Sequence, residues 1–256
     1  MRLYDIHMHA GSEAEFTDLA EWLAEDPPYY AIPSATRYSE AKQLDQGIRS
    51  SDHLRSHLFP SAGLHPWNAE LGISELKQME PFILNGPWIG EIGLDRPWCD
   101  IPLNMQLPIF RSQLELGAKH RRTVLIHSKG YEEEVYREIQ AYQYPVIIHW
   151  YSCQDTDLLT RFIELGCYFT LGPDNGYSKD TEALWRLCPT NRLLLETDGL
   201  GAILWAEGKP DSDHLPARHL LRSLKERVAR LSTVRGVEEE ELYQTITANS
   251  ERLLGI

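Results

Sequence analysis

Eight short runs rich in apolar, β-branched and aromatic residues recur along the chain, with helix-like stretches between them. The runs occupy residues 3–10, 29–36, 58–65, 88–95, 123–129, 146–152, 167–173 and 192–200. Their composition and length predict strands. Residues 13–25 place Phe16, Leu19, Ala20, Leu23 and Ala24 on the single stripe of an amphipathic helix. Residues 103–121 repeat the pattern with Leu107, Phe110, Leu114 and Leu116, and residues 130–143, 154–165 and 180–187 carry shorter versions. Strands alternating with helices imply a parallel sheet with right-handed crossovers.

Eight repeats favour closure into a single (β/α)8 TIM barrel. Such a barrel takes about 250 residues, and the chain has 256, so residues 1–256 are expected to form one domain. An open doubly wound sheet is the alternative, but it usually shows a glycine-rich phosphate turn after its first strand. Here the first run ends in His7-Met8-His9-Ala10-Gly11. Residues 214–231 and 237–253 predict two extra C-terminal helices, packed outside the barrel or across its lower end. The acidic run at positions 238–241 reads as a solvated helix face.

Charge narrows the function. The net charge is -13, and no run of Lys and Arg supplies the basic face that broad binding of long nucleic acid requires. A non-specific duplex binder is thereby disfavoured. A nuclease that draws one strand end into a metal-lined pocket is not. Cys99, Cys153, Cys167 and Cys188 show neither CxxC spacing nor a dense framework, which predicts free thiols in a reducing compartment. No leader-like or bilayer-length apolar segment is visible. A cytoplasmic location is therefore expected, and nothing calls for a membrane or an obligate protein partner.

The chemistry lies in where the histidines fall. Residues two apart in a strand point to the same side, so Asp5, His7 and His9 are expected to face one way and Ile6 and Met8 the other. Glu91 sits in Ile89-Gly90-Glu91-Ile92-Gly93-Leu94-Asp95, where burying a carboxylate is costly unless it meets a cation. His127, His149 and Asp198 each close an apolar run. In a barrel the C-terminal strand ends form the active-site face. One such histidine alone is more often a core or rim residue, and Asp198 alone could cap a helix. Four histidines and two carboxylates sharing one relation to the strands form a pattern that those separate explanations do not cover. Imidazole and carboxylate ligands suit first-row cations such as zinc or manganese better than calcium. Two ions about 3.5–4 Å apart, bridged by a carboxylate, fit six ligands.

These residues make the chain resemble the TatD-related DNase family of the amidohydrolase superfamily over nearly its whole length. His7 and His9 match the His-x-His of the first strand, and Gly63-Leu64-His65-Pro66-Trp67 matches the Gly-x-His-Pro loop. The Glu91 block is the most distinctive, with Gln106 and Phe110 in the helix after it. Ile126-His127-Ser128, Ile148-His149, Glu196-Thr197-Asp198 and Thr247-Ala248-Asn249 complete the set. The resemblance implies that His7, His9 and Asp198 hold one ion, that His127 and His149 hold a second, and that Glu91 bridges them. The ions would be zinc, manganese or magnesium. The implied activity is hydrolysis of phosphodiester bonds by activated water, with Asp198 and Glu91 as the catalytic carboxylates.

The departures lie in the loops. Lys129-Gly130-Tyr131 replaces Arg-Asp-Ala, and Trp150-Tyr151-Ser152-Cys153 replaces Phe-Ser-Gly. Gly199-Leu200-Gly201 follows the final Asp, and Lys209-Pro210-Asp211 stands where an Asn-Pro segment is usual. His65 and Lys129 are candidate substrate contacts. Trp67, Trp98 and Trp150 could stack bases, although tryptophans are more often packing. The expected substrate is a single-stranded DNA end or a small phosphoester. The alternatives are a small-molecule amidohydrolase, lactonase or phosphoesterase on the same site, or a non-catalytic metalloprotein.

Overall fold

The computed structural model describes residues 2–210 and 214–256; Asp211 of the Lys209-Pro210-Asp211 segment lies outside them. Eight parallel strands close in sequential order into a barrel. They are β1 (Leu3–Met8), β2 (Tyr29–Ala35), β3 (Ser61–Ala62), β4 (Ile89–Asp95), β5 (Val124–Lys129), β6 (Val146–His149), β7 (Tyr168–Leu171) and β8 (Leu193–Leu195). Closure runs through Asp5 on β1, paired with Leu195 on β8. The helices between and after them are α1 (Glu13–Leu23), α2 (Tyr38–Arg49), α3 (Asp52–His57), α4 (Gly72–Asn85), α5 (Leu103–His120) and α6 (Glu132–Ile139). Then follow α7 (Thr156–Glu164), α8 (Lys179–Leu187), α9 (Leu200–Ala206), α10 (Arg218–Arg235) and α11 (Glu239–Leu254).

Two apolar layers hold this arrangement. Ile6, Ile32, Leu125, Ile147 and Leu194, from five strands, meet Trp88 inside the barrel. A larger layer joins the outer strand faces to the helices, with Phe16, Leu44, Met79, Phe110 and Phe162 among its members. Local signals agree with the tertiary fold: Ser12 and Glu15 form a reciprocal capping box at the start of α1. The last helix crosses the lower end of the barrel. Its Leu253 and Leu254 pack on the inner layer, and the Asn249 amide donates to the carbonyls of Thr190 and Leu193, both at 2.9 Å.

The third run behaves differently from its sequence pattern. Only Ser61 and Ala62 form a strand of the sheet, with Leu58 adding an isolated parallel bridge to Ala31. The chain then leaves it through His65, and Pro66–Leu71 form a 3-10 turn. Helix α3, added after α2, and the 3-10 turn before α4 interrupt the simple alternation. In α2 the stripe is only Ala41, Leu44 and Ile48 among charged and amide side chains, so its periodicity is faint in sequence. A register shift between Asp5 and Met8 also alters β1. Ile6 joins the inner layer and Met8 the outer one. Asp5 accepts from the Tyr29 hydroxyl at 2.8 Å and from the Thr197 amide at 2.8 Å. The expected common face of Asp5, His7 and His9 is thus restricted to the two histidines, because the bulge breaks the two-residue period.

Candidate metal centre

The C-terminal strand ends bring His7, His9, His65, Glu91, His127, His149 and Asp198 to one place. Glu91 lies between two sets of imidazoles. Its Oε2 is 3.3 Å from His7 Nε2 and 3.4 Å from His9 Nε2. Its Oε1 is 2.7 Å from His127 Nδ1 and 3.6 Å from His149 Nε2. Asp198 Oδ1 stands 3.1 Å from His7 Nε2, 3.6 Å from His9 Nε2 and 4.0 Å from His149 Nε2. Asp198 does not cap the helix after β8: the residue at that position is Gly199. It adopts φ +58, a left-handed conformation that Asp tolerates better than most residues. Its amide donates to the His7 carbonyl at 3.0 Å.

Each of the four expected imidazole ligands is oriented from behind. His9 Nδ1 donates to the Ser34 carbonyl at 3.0 Å. His7 Nδ1 pairs with Ser34 Oγ at 3.0 Å, and Ser34 Oγ with Ser61 Oγ at 2.7 Å. His149 Nδ1 donates to Glu196 Oε2 at 2.7 Å. His127 Nε2 donates to Asp95 Oδ2 at 2.7 Å, leaving Nδ1 toward Glu91. Such partners fix the tautomer and ring orientation of metal-ligating histidines. Glu196, Asp95 and Ser34 were absent from the candidate residues. Glu196 carried the same signal as Glu91, a carboxylate inside an apolar strand. Ser34 carried none.

Electrostatics follow from this crowding. Burial pushes the Glu91 carboxyl up, but the neighbouring His65, His7 and His149 and the His127 hydrogen bond outweigh it and hold it well below the usual range. Burial likewise opposes ionisation of Asp198, yet the close approach of His7 and the His149 and His7 charges bring it to about 2. Burial depresses His65 to about 4. Its Nδ1 accepts from the Trp67 amide at 3.2 Å, so a neutral His65 carries its proton on Nε2, 3.5 Å from Glu91 Oε1. That nitrogen is a donor rather than an open lone pair. Lys129 stands apart from the cluster. Its Nζ donates to the Trp150 carbonyl and to Ser152 Oγ, and burial lowers its pKa.

The donor set fits divalent cations. His7 Nε2 is buried with no hydrogen-bond partner among the described residues, although carboxylate oxygens of Glu91 and Asp198 face it. His7, His9 and Asp198 present ligand-type atoms close together, as do His7, Glu91 and His149, and His65, Glu91 and His127. Imidazoles and carboxylates crowded into one buried place are costly unless their charges are compensated, and a divalent cation among them does so.

A closed parallel barrel with this cluster at its C-terminal mouth defines a metal-dependent hydrolase. The chain belongs to the TatD related DNase family, whose sequence profile matches residues 4–255. It is 26% identical over 212 residues to the uncharacterized metal-dependent hydrolase YabD of Bacillus subtilis (strain 168), covering 77% of this chain and 79% of that protein. The crystal structure of YjjV, a TatD homolog from Escherichia coli K12, superposes with a TM-score of 0.79 at 22% identity, covering 100% of this chain and 98% of that one. A TatD family hydrolase from Entamoeba histolytica also gives a TM-score of 0.79, at 15% identity, covering 99% and 98%. All four cysteines are free, and no helix among the described residues is long and apolar enough to cross a membrane.

Proposed function

We propose that the protein hydrolyses phosphodiester bonds with two divalent cations, zinc, manganese or magnesium. His7, His9 and Asp198 hold one ion, His127 and His149 hold the other, and Glu91 is shared. The observation that carries this reading is the split of Glu91, with Oε2 toward His7 and His9 and Oε1 toward His127 and His149. When bound, the ions supply positive charge that lets water deprotonate near neutral pH and offsets charge on phosphoryl oxygens.

The remaining steps belong to the protein. Asp198 is the cluster carboxylate open to the mouth, with its side chain 18% exposed against 2% for Glu91. It accepts the proton of the attacking water and returns it to the leaving oxygen. His65 stays neutral at physiological pH and offers its Nε2 hydrogen to a phosphoryl oxygen. Glu196, Asp95 and Ser34 keep the imidazoles aimed, so little reorganisation is needed during reaction.

The walls of the mouth favour a short substrate over a long strand. A cavity of about 750 Å³ on one side contains Glu15 and Glu40 with Arg37. A cavity of about 540 Å³ on the other contains Glu132, Asp155, Asp174 and Asp180 with Lys129. This excess of carboxylates opposes a trailing polyanion and supports a strand end or a small phosphoester. The test is to incubate metal-loaded protein with end-labelled single-stranded DNA, with a small phosphodiester and with a lactone panel. Metal-dependent phosphodiester cleavage that Glu91→Gln abolishes supports the reading. Lactone hydrolysis with every phosphodiester left intact overturns it.

A further inference from the structure

The geometry points to Trp98, Trp150 and Trp205 as a subsite for one planar aromatic ring of nucleobase size, carried by the substrate of the adjacent metal centre. This rests on the mouth being the hydrolytic site, but not on which bond is cut. These three indoles, with Ala202 and Asp198, line a cavity of about 290 Å³. Asp198 thus belongs to both the cluster and this corner, so a ring held here sits beside the scissile bond. Trp67 does not contribute: its indole nitrogen donates to Asp95 at 2.9 Å, and its ring packs edge-on against His65.

Core packing does not account for the three indoles. Trp88 and Trp185 are the tryptophans buried in the interior, whereas Trp98 and Trp205 are 57% and 60% exposed. Trp150 and Trp205 meet at 76° with centroids 5.6 Å apart. Two nearly perpendicular rings form a corner in which a third can stack on one face and meet the edge of the other. Trp150 is held firmly in this pose. Its φ is +37, a region where a bulky residue persists only when its surroundings enforce it. Its amide donates to Thr170 Oγ1 at 2.8 Å and its indole nitrogen to Asp174 Oδ1 at 3.1 Å. Its indole lies against Gly172, where an added Cβ would fall 2.4 Å from it.

Charge selects the occupant. The lysine near the corner, Lys129, has its Nζ 5.3 Å from the Trp150 ring centroid and committed to Trp150 and Ser152. Asp155, Asp174 and Asp180 line the adjoining cavity. A phosphate is repelled there, while a neutral ring with electropositive N–H edges is accepted. Phosphate at the metal centre and ring in the corner is therefore the arrangement that both surfaces favour.

The test is equilibrium binding to the metal-loaded protein, by calorimetry, of AMP and of ribose 5-phosphate, which lacks the base. AMP should bind at least about tenfold more tightly, the scale of one base–aromatic stack. Trp98→Ala combined with Trp205→Ala should bring that ratio to within about twofold and leave ribose 5-phosphate affinity unchanged. Both side chains are exposed, and circular dichroism with metal content checks that the variant is intact. Adenosine, which has no phosphate, isolates the ring. Its saturable binding, lost in the double variant, supports the subsite even if no phosphodiester is cleaved. Equal affinity for AMP and ribose 5-phosphate in the unmodified protein, or an AMP preference that survives both substitutions, overturns it.

Discussion

His149 and Glu196 form a buried pair in which the imidazole Nδ1 donates to the carboxylate at 2.7 Å, with neither side chain more than 3% exposed. The bond leaves His149 Nε2 facing Glu91 and Asp198. Removing such a partner typically weakens metal binding by about 10–100-fold. Glu196→Ala should therefore lose affinity by that amount in a chelator competition, while Glu196→Gln, which retains an accepting oxygen, should lose less. Equal affinity in Glu196→Ala and the unmodified protein would show that Glu196 does not orient the ligand.

Asp198→Asn separates chemistry from coordination. Asn keeps one coordinating oxygen but cannot take a proton at neutral pH. The variant should fold, retain part of its metal and lose turnover by about 10²–10⁴-fold. Because the cap position of α9 belongs to Gly199, no change in helix stability is expected. Near-normal turnover with metal bound would remove Asp198 from the proton transfer.

The outline of both fold and site was readable because each rests on a strong local signal. Apolar runs recorded the barrel strands, and histidines and carboxylates placed at their ends recorded the mouth. What stayed hidden depended on three-dimensional context. The bulge that turns His7 and Ile6 toward the barrel axis leaves no mark in Asp5-Ile6-His7-Met8-His9. Helix α2 is too polar for its stripe to stand out. Trp205, carried by α9, lines one cavity with Trp98 and Trp150, and nothing in its sequence neighbours announces that. Lys129, the other expected substrate contact, lines a wall of the mouth, where its Nζ donates to the Trp150 carbonyl and to Ser152 Oγ.

Gly93 tests how tightly the site depends on the strands beneath it. Its φ is +145, and an added Cβ would lie 1.9 Å from the carbonyl oxygen of His127. Strand β4 can approach the His127 backbone this closely only without a side chain. Gly93→Ala should destabilise the protein by about 3 kcal/mol or more, by analogy with strained core substitutions, as read from urea unfolding. A loss under about 1 kcal/mol would mean that β4 and β5 can separate without harm.

The central claim is that the mouth holds two divalent ions sharing Glu91, and elemental analysis tests it most directly. The unmodified protein should carry about two equivalents of zinc, manganese or magnesium, in line with binuclear hydrolytic sites. His7→Ala combined with His9→Ala should lose at least one, and Glu91→Gln should weaken retention of the second. Unchanged metal content in the double variant, or two ions held as tightly by Glu91→Gln as by the unmodified protein, would contradict the account.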